Sequence, residues 1–142
     1  MKKVLVLCTG NSCRSQIAEG YLKALGPGAL EVWSAGVETH GLNPRAVATM
    51  AEDGIDISGQ ISNHVDEYRN IAFDYVITVC DSARERCPVF PAATKQVHVS
   101  FPDPAKATGT EAEILAAFRE VRDEIKAFCK RFALEASVME NK

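Results

Sequence analysis

The strongest constraint on the fold is the texture of the apolar runs. Val4–Leu7, Leu30–Trp33 and Tyr75–Val79 are continuous rather than alternating, with only Glu31 breaking the second, and Val97–Val99 is a shorter fourth. A strand with one face in water alternates polar and apolar residues. Unbroken runs therefore mark strands buried on both faces, as in a parallel sheet covered by helices.

The segments between these runs carry helix punctuation. Ile17, Tyr21, Leu22 and Leu25 form one face of a first helix that stops at Gly26-Pro27. Asn43-Pro44 pairs an N-cap with proline at the first helical position, and Gly54 is the stop. Thr110 and Glu113 have the spacing of a capping box. They open a long helix whose apolar face is Ile114, Leu115, Phe118, Val121, Ile125, Phe128, Cys129 and Phe132. Four of the six prolines lie between Pro88 and Pro104, which marks that stretch as mostly loop. Strands alternating with helices predict a single α/β domain over residues 1–136, a four-stranded parallel sheet with helices on both faces; residues 137–142 read as a frayed tail. In such sheets ligands bind beyond the carboxyl ends of the strands. Cys8, Cys80 and Ser100-Phe101 all fall at ends of that kind.

Composition narrows the partners. The net charge is −3 and there is no basic block, which argues against nucleic acid or a membrane surface. The apolar run after Met1-Lys2-Lys3 is too short for a secretory core, so the expected location is the cytoplasm. Five cysteines, an odd number, fit a catalytic or redox use better than a static disulfide framework in that compartment.

Cys8-Thr9-Gly10-Asn11-Ser12-Cys13-Arg14-Ser15 has the pattern C-x5-R-S between a strand and a helix. A loop so placed can turn its N–H groups inward at the helix N-terminus and cradle a tetrahedral oxyanion with Thr9 through Arg14. Arg14 adds a two-pronged clamp. Gly10 and Asn11 tolerate left-handed dihedrals. The same field favours the Cys8 thiolate, since comparable settings hold a cysteine well below its ordinary pKa of about 8.5. Ser15 is placed to hydrogen-bond the sulfur. The plainer reading is a buried cysteine in a strand-to-helix turn with a surface arginine.

This segment resembles the signature of the low-molecular-weight protein tyrosine phosphatases. It is more similar still to the arsenate reductases built on that fold, as are "SAGVETHGLNP" (Ser34–Pro44) and "VRDEIK" (Val121–Lys126). The similarity runs over nearly the whole chain. It implies a superfamily fold, Cys8 as nucleophile and arsenate as substrate, with phosphate or sulfate as competing oxyanions.

Cys80 ends the third clear strand in "VITVCDSARERCPVFP", and Cys87 lies seven residues on. Zinc is a poor explanation, because the spacing is unusual and His40, His64 and His98 supply no ligand pair. If the intervening residues are helical, the two cysteines lie about 10 Å apart, whereas a disulfide needs Cα atoms within roughly 7 Å. Either they are two core cysteines flanking a loop, or bonding them requires the helix to unwind, as in a redox switch. The resemblance implies the second: Cys80 and then Cys87 resolve the reaction begun at Cys8, and thioredoxin reduces the final disulfide. Glutaredoxin-linked relatives leave the reductant open. No bound organic cofactor is implied.

Asp103 sits between two prolines in "SFPDPAKATG". By resemblance it occupies the place of the general acid on the loop before the last helix. Ala105-Lys106 stands where the phosphatases often carry aromatic residues that recognise phosphotyrosine. Asn11, Glu19 and Ser34 match positions that hold a potassium ion in some related reductases, with Asn63 where an aspartate is expected. Cys13 and Cys129 read as packing residues and His40 as a turn residue. The alternative function is a phosphatase that hydrolyses phosphate monoesters through a Cys8 phosphocysteine, with Cys80 and Cys87 dispensable. A non-enzymatic oxyanion-binding or redox-sensing module fits Arg14 and the acid loop less well.

Overall fold

Strand β1 (Lys2–Cys8) lies inside the sheet, and every side chain from Val4 to Leu7 is fully buried. Neighbouring side chains of a strand point to opposite faces, so both faces of the sheet are covered. The structure, a computed structural model, describes residues 1–140. Its sheet has the order β2-β1-β3-β4, with β2 at Leu30–Gly36, β3 at Tyr75–Thr78 and β4 at Lys95–His98, and all neighbours are parallel. The chain adds β2 on one side of β1 and then returns to add β3 on the other. That reversal makes the gap between the carboxyl ends of β1 and β3 the topological switch point, where ligands of such folds bind.

Register brings the two thiol-bearing ends level. Leu7 pairs with Thr78, and Val79 N–H continues the ladder to Leu7 C=O at 3.0 Å, so Cys8 and Cys80 emerge side by side. On the other side Cys8 pairs with Gly36. A Cβ on Gly36 would stand 2.2 Å from the Glu38 carbonyl oxygen and 2.7 Å from that of Thr9, so only glycine lets the loops after β1 and β2 pass this closely.

The strands differ from the sequence expectation mainly at their ends. β1 and β2 are longer than their apolar runs, and β4 starts two residues before Val97. β4 is the edge strand, with Lys95 and Gln96 exposed, so its pattern was weak.

Helix α1 (Arg14–Leu25) follows β1, and its residues from Ser15 to Leu22 are buried. Leu25, expected on the buried face, is 38% exposed on the last turn, where Leu30 packs over Gly26 instead. Helix α2 (Pro44–Glu52) starts as expected: Asn43 Oδ1 accepts from Arg45 N–H at 2.8 Å, and Gly54 follows in the left-handed conformation. Helix α3 (Asp81–Glu85) occupies the stretch between Cys80 and Cys87.

Helix α4 (Glu111–Glu140) opens with the Thr110–Glu113 box and packs along α1. Its buried stripe includes Phe118, Val121, Ile125, Cys129 and Phe132, which fits the predicted face, with Ile114 and Phe128 half-buried. The helix takes in residues 137–140 of the segment expected to fray; 141 and 142 lie outside the described residues. Among the described residues no helix is long and apolar enough to cross a membrane.

Candidate active site

The loop after β1 closes on itself. Asn11 takes φ +48°, the left-handed conformation expected of it, and is fully buried. Its side chain staples the loop from behind: Nδ2 donates to Ser15 Oγ and to Ser34 Oγ, both at 2.9 Å, and Oδ1 accepts from Asn63 N–H at 2.8 Å. Gln16 Nε2 donates to the Asn11 carbonyl at 2.9 Å. Such a ring costs backbone strain, which these bonds offset.

In front of the loop is a cavity of about 390 Å³, lined by Cys8, Thr9, Gly10, Ser12, Cys13, Arg14, His40, Asp103 and Lys106. Seven of the residues singled out in the sequence meet here. Arg14 Nη1 donates to the Phe101 carbonyl at 3.0 Å, and Nη2 stands 3.7 Å from Asp103 Oδ2. The last loop thus places the acid beside the clamp, with Asp103 held in turn by the Ala105 N–H at 3.0 Å. A larger groove of about 580 Å³ lies past Cys87, lined by Val65, Tyr68, Ile71, Pro88 and Phe90 among others. It lacks the nucleophile, acid and clamp, so chemistry rather than size picks out the cavity at Cys8.

Cys8 and Cys80, 72 residues apart, are both buried with their sulfurs at 3.6 Å. Cys8 is the donor and Cys80 the acceptor. The negative charge on Cys80 is held by that bond first, against the cost of burial, and then by Thr9 Oγ1 at 3.2 Å, the Ala83 N–H of α3 and Arg14. Together they lower its pKa to about 5. Cys8 is pushed up, first by the bond to Cys80 and then by burial, although Arg14 and the Thr9 N–H pull the other way. The expectation of a lowered Cys8 considered the loop alone. In the folded chain the two thiols share one charge, and in this conformation it rests on Cys80.

All five cysteines are unpaired. Cys87 is half-buried beyond α3, and burial raises its pKa. Cys13 is buried in the cradle wall and Cys129 in the core; burial pushes both up to about 12. Ser15 Oγ accepts from Asn11 and makes no hydrogen bond to Cys8 in this conformation, because it faces the rear of the loop.

Three features had no sequence signal. His40 has the sequence context of a turn residue, and its N–H does bond the Gly10 carbonyl at 2.9 Å. Its ring also lies against Gly10, where an added Cβ would come within 2.3 Å of Nδ1, so Gly10 is needed for close approach as well as for its backbone. His40 Nε2 meets Glu38 at 2.8 Å, and Glu38 meets Arg86 at 3.1 Å, which ties the cradle to the far end of α3. At the near end, His98 bridges Thr78 Oγ1 at 2.7 Å and Asp81 Oδ1 at 3.0 Å.

Comparisons with known proteins agree with this geometry. A family model described as low molecular weight phosphotyrosine protein phosphatase matches residues 3–142. An arsenate reductase of Shouchella clausii is 52% identical over 134 residues, covering 93% of this chain and 95% of the relative. A solved arsenate reductase in the oxidised state superposes with a TM-score of 0.81 at 33% identity, over 96% of this chain and 99% of the other. Another, in a phosphate-binding state, gives 0.73 at 35% identity with the same coverage. The chain belongs to the low molecular weight phosphotyrosine protein phosphatase family, and within it stands with the arsenate reductases.

Proposed function

We propose that this chain reduces arsenate to arsenite by a relay of three thiols, Cys8, Cys80 and Cys87. The observation that carries the reading is the 3.6 Å contact between buried Cys80 and Cys8, which lines the cavity together with Arg14 and Asp103. A hydrolase needs only the first of these thiols. The kinship with arsenate reductases over 93% of the chain supports the same choice.

Arsenate enters the cradle of Thr9 to Arg14, with Arg14 on two oxygens. The proton shared by the two sulfurs moves to Cys80, and the charge passes to Cys8, where Arg14 and the Thr9 N–H favour it. The Cys8 thiolate attacks arsenic, and a hydroxyl leaves as water with the proton from Asp103. The adduct is still arsenic(V). Its sulfur no longer donates to Cys80, which gives up its proton to water and attacks as a thiolate held by Thr9 Oγ1 and the Ala83 N–H. Cys80 attacks Cys8 Sγ, the sulfur–arsenic bond breaks, and its electron pair leaves with arsenic as arsenite. Two thiols have been oxidised to one disulfide, and arsenic is reduced by two electrons.

Cys87 then attacks Cys80 and releases Cys8. The Cys80–Cys87 bond spans α3, so the helix has to open as it forms. A dithiol protein restores the two thiols by exchange, and thioredoxin is the proposed reductant. The proposed setting is the cytoplasm. Ser15 keeps its hydroxyl proton for the Cys8 sulfur once the loop is loaded.

The test is arsenite formation with thioredoxin, thioredoxin reductase and NADPH, comparing wild type with Cys80→Ser and Cys87→Ser. Wild type is expected to turn over continuously and both variants to stall. A second reading, phosphate-ester hydrolysis through a phosphocysteine, draws on the same Cys8, Arg14 and Asp103. It predicts no arsenite, and equal cleavage of a phenyl phosphate by all three proteins.

A further inference from the structure

Behind the cradle runs a chain of contacts that the reaction does not use. Asn11 Nδ2 donates to Ser34 Oγ at 2.9 Å. Ser34 Oγ donates to Glu19 Oε1, and Glu19 Oε2 accepts from Lys23 Nζ, both at 2.5 Å. Glu19 is 7% exposed, so its carboxylate is out of bulk water and needs a positive partner. Lys23 lies one turn further along α1, with its side chain about half exposed.

The potassium ion that the resemblance implies for Asn11, Glu19 and Ser34 does not fit this arrangement. A cation needs oxygen lone pairs turned toward it. Here each Glu19 oxygen already accepts one hydrogen bond, from Lys23 or from Ser34, Ser34 Oγ accepts from the amide, and Asn11 turns its NH2 group toward Ser34 while its oxygen takes the Asn63 N–H. The position expected to supply an aspartate holds Asn63, whose side chain donates instead to the Ile61 carbonyl at 3.1 Å.

We propose that the Lys23 ammonium is the built-in counter-cation of this enzyme, and that through Glu19, Ser34 and Asn11 it holds the cradle in its binding shape without a monovalent ion. Lys23 is a positioning residue: it reaches the oxyanion only through the left-handed Asn11, whose amide also bonds Ser15. The inference concerns the cradle alone. It stands whether the bound oxyanion is later reduced or hydrolysed.

Its test is the affinity for inorganic phosphate by calorimetry, together with the thermal midpoint, in chloride salts of potassium, sodium and choline at equal ionic strength. Wild type is expected to give the same values in all three. Lys23→Met leaves the Glu19 carboxylate uncompensated, and phosphate binding in choline chloride should weaken about fivefold or more. Potassium should restore it, because removing the ammonium frees a carboxylate oxygen; Lys23→Arg should bind as wild type does in every salt. Selective tightening or stabilisation of wild type by potassium would overturn the proposal, as would a Lys23→Met protein that binds normally in choline. A Lys23→Met defect relieved by neither potassium nor the arginine variant would assign Lys23 to packing and overturn it equally.

Discussion

The lowered thiol in the resting site is Cys80, and Thr9 is one residue responsible. Thr9 was legible in the sequence as a cradle residue, because its neighbours form a recognisable C-x5-R-S loop. Its hydroxyl contact with Cys80 was not legible, since it depends on strands 71 residues apart in the chain lying side by side. The sign of the pH dependence follows from the charge. With its pKa lowered to about 5, Cys80 is a thiolate in the folded reduced protein from about pH 5 upward. In an unfolded chain it would stay protonated until about its ordinary value of 8.5. The stability it contributes is therefore fully present above that ordinary value and is lost as pH falls through about 5. Thiolate absorbance near the ultraviolet edge should rise through a midpoint near pH 5 in the reduced wild type. Thr9→Val should move that midpoint upward, and Cys80→Ser should remove it. A wild-type midpoint at the ordinary thiol value would refute the assignment.

In the proposed relay, helix α3 is the element that has to open. The spacing of Cys80 and Cys87 already suggested a helix too long for a disulfide to cross, and the structure forms α3 over Asp81–Glu85. What the sequence could not reveal is that both ends are latched from elsewhere: Asp81 to His98 of β4, and Arg86 to Glu38 beyond β2. The first is a hydrogen bond and the second an ion pair, and both lie at the surface, where such contacts hold weakly. Weak latches suit a helix that must stay folded while Cys80 is cradled and then release it once per turnover. Replacing Arg86 with Ala frees the end nearer Cys87. The rate of Cys80–Cys87 formation, read by rapid quench and thiol trapping after a single arsenate addition, should rise a few-fold, with the first oxidation step unchanged. A slower second step would mean that Arg86 guides the opening.

At the scale of the molecule, the unbroken apolar runs carried most of the fold, because burial on both faces leaves a parallel sheet as the natural solution. Leu25 is exposed and β4 starts before its apolar run for one reason: both lie at edges, where the apolar pattern no longer reports burial. The switch-point topology then does what local sequence cannot. It sets Cys8 at the end of β1 beside Cys80 at the end of β3, and brings Asp103 over Arg14 from the loop before α4. The most direct measurement is a disulfide map by mass spectrometry after one equivalent of arsenate, with no external reductant. The account predicts a Cys80–Cys87 bond in wild type and a trapped Cys8–Cys80 bond in Cys87→Ser, with one arsenite released in each case. Arsenate left unreduced, with all five thiols free, would contradict it.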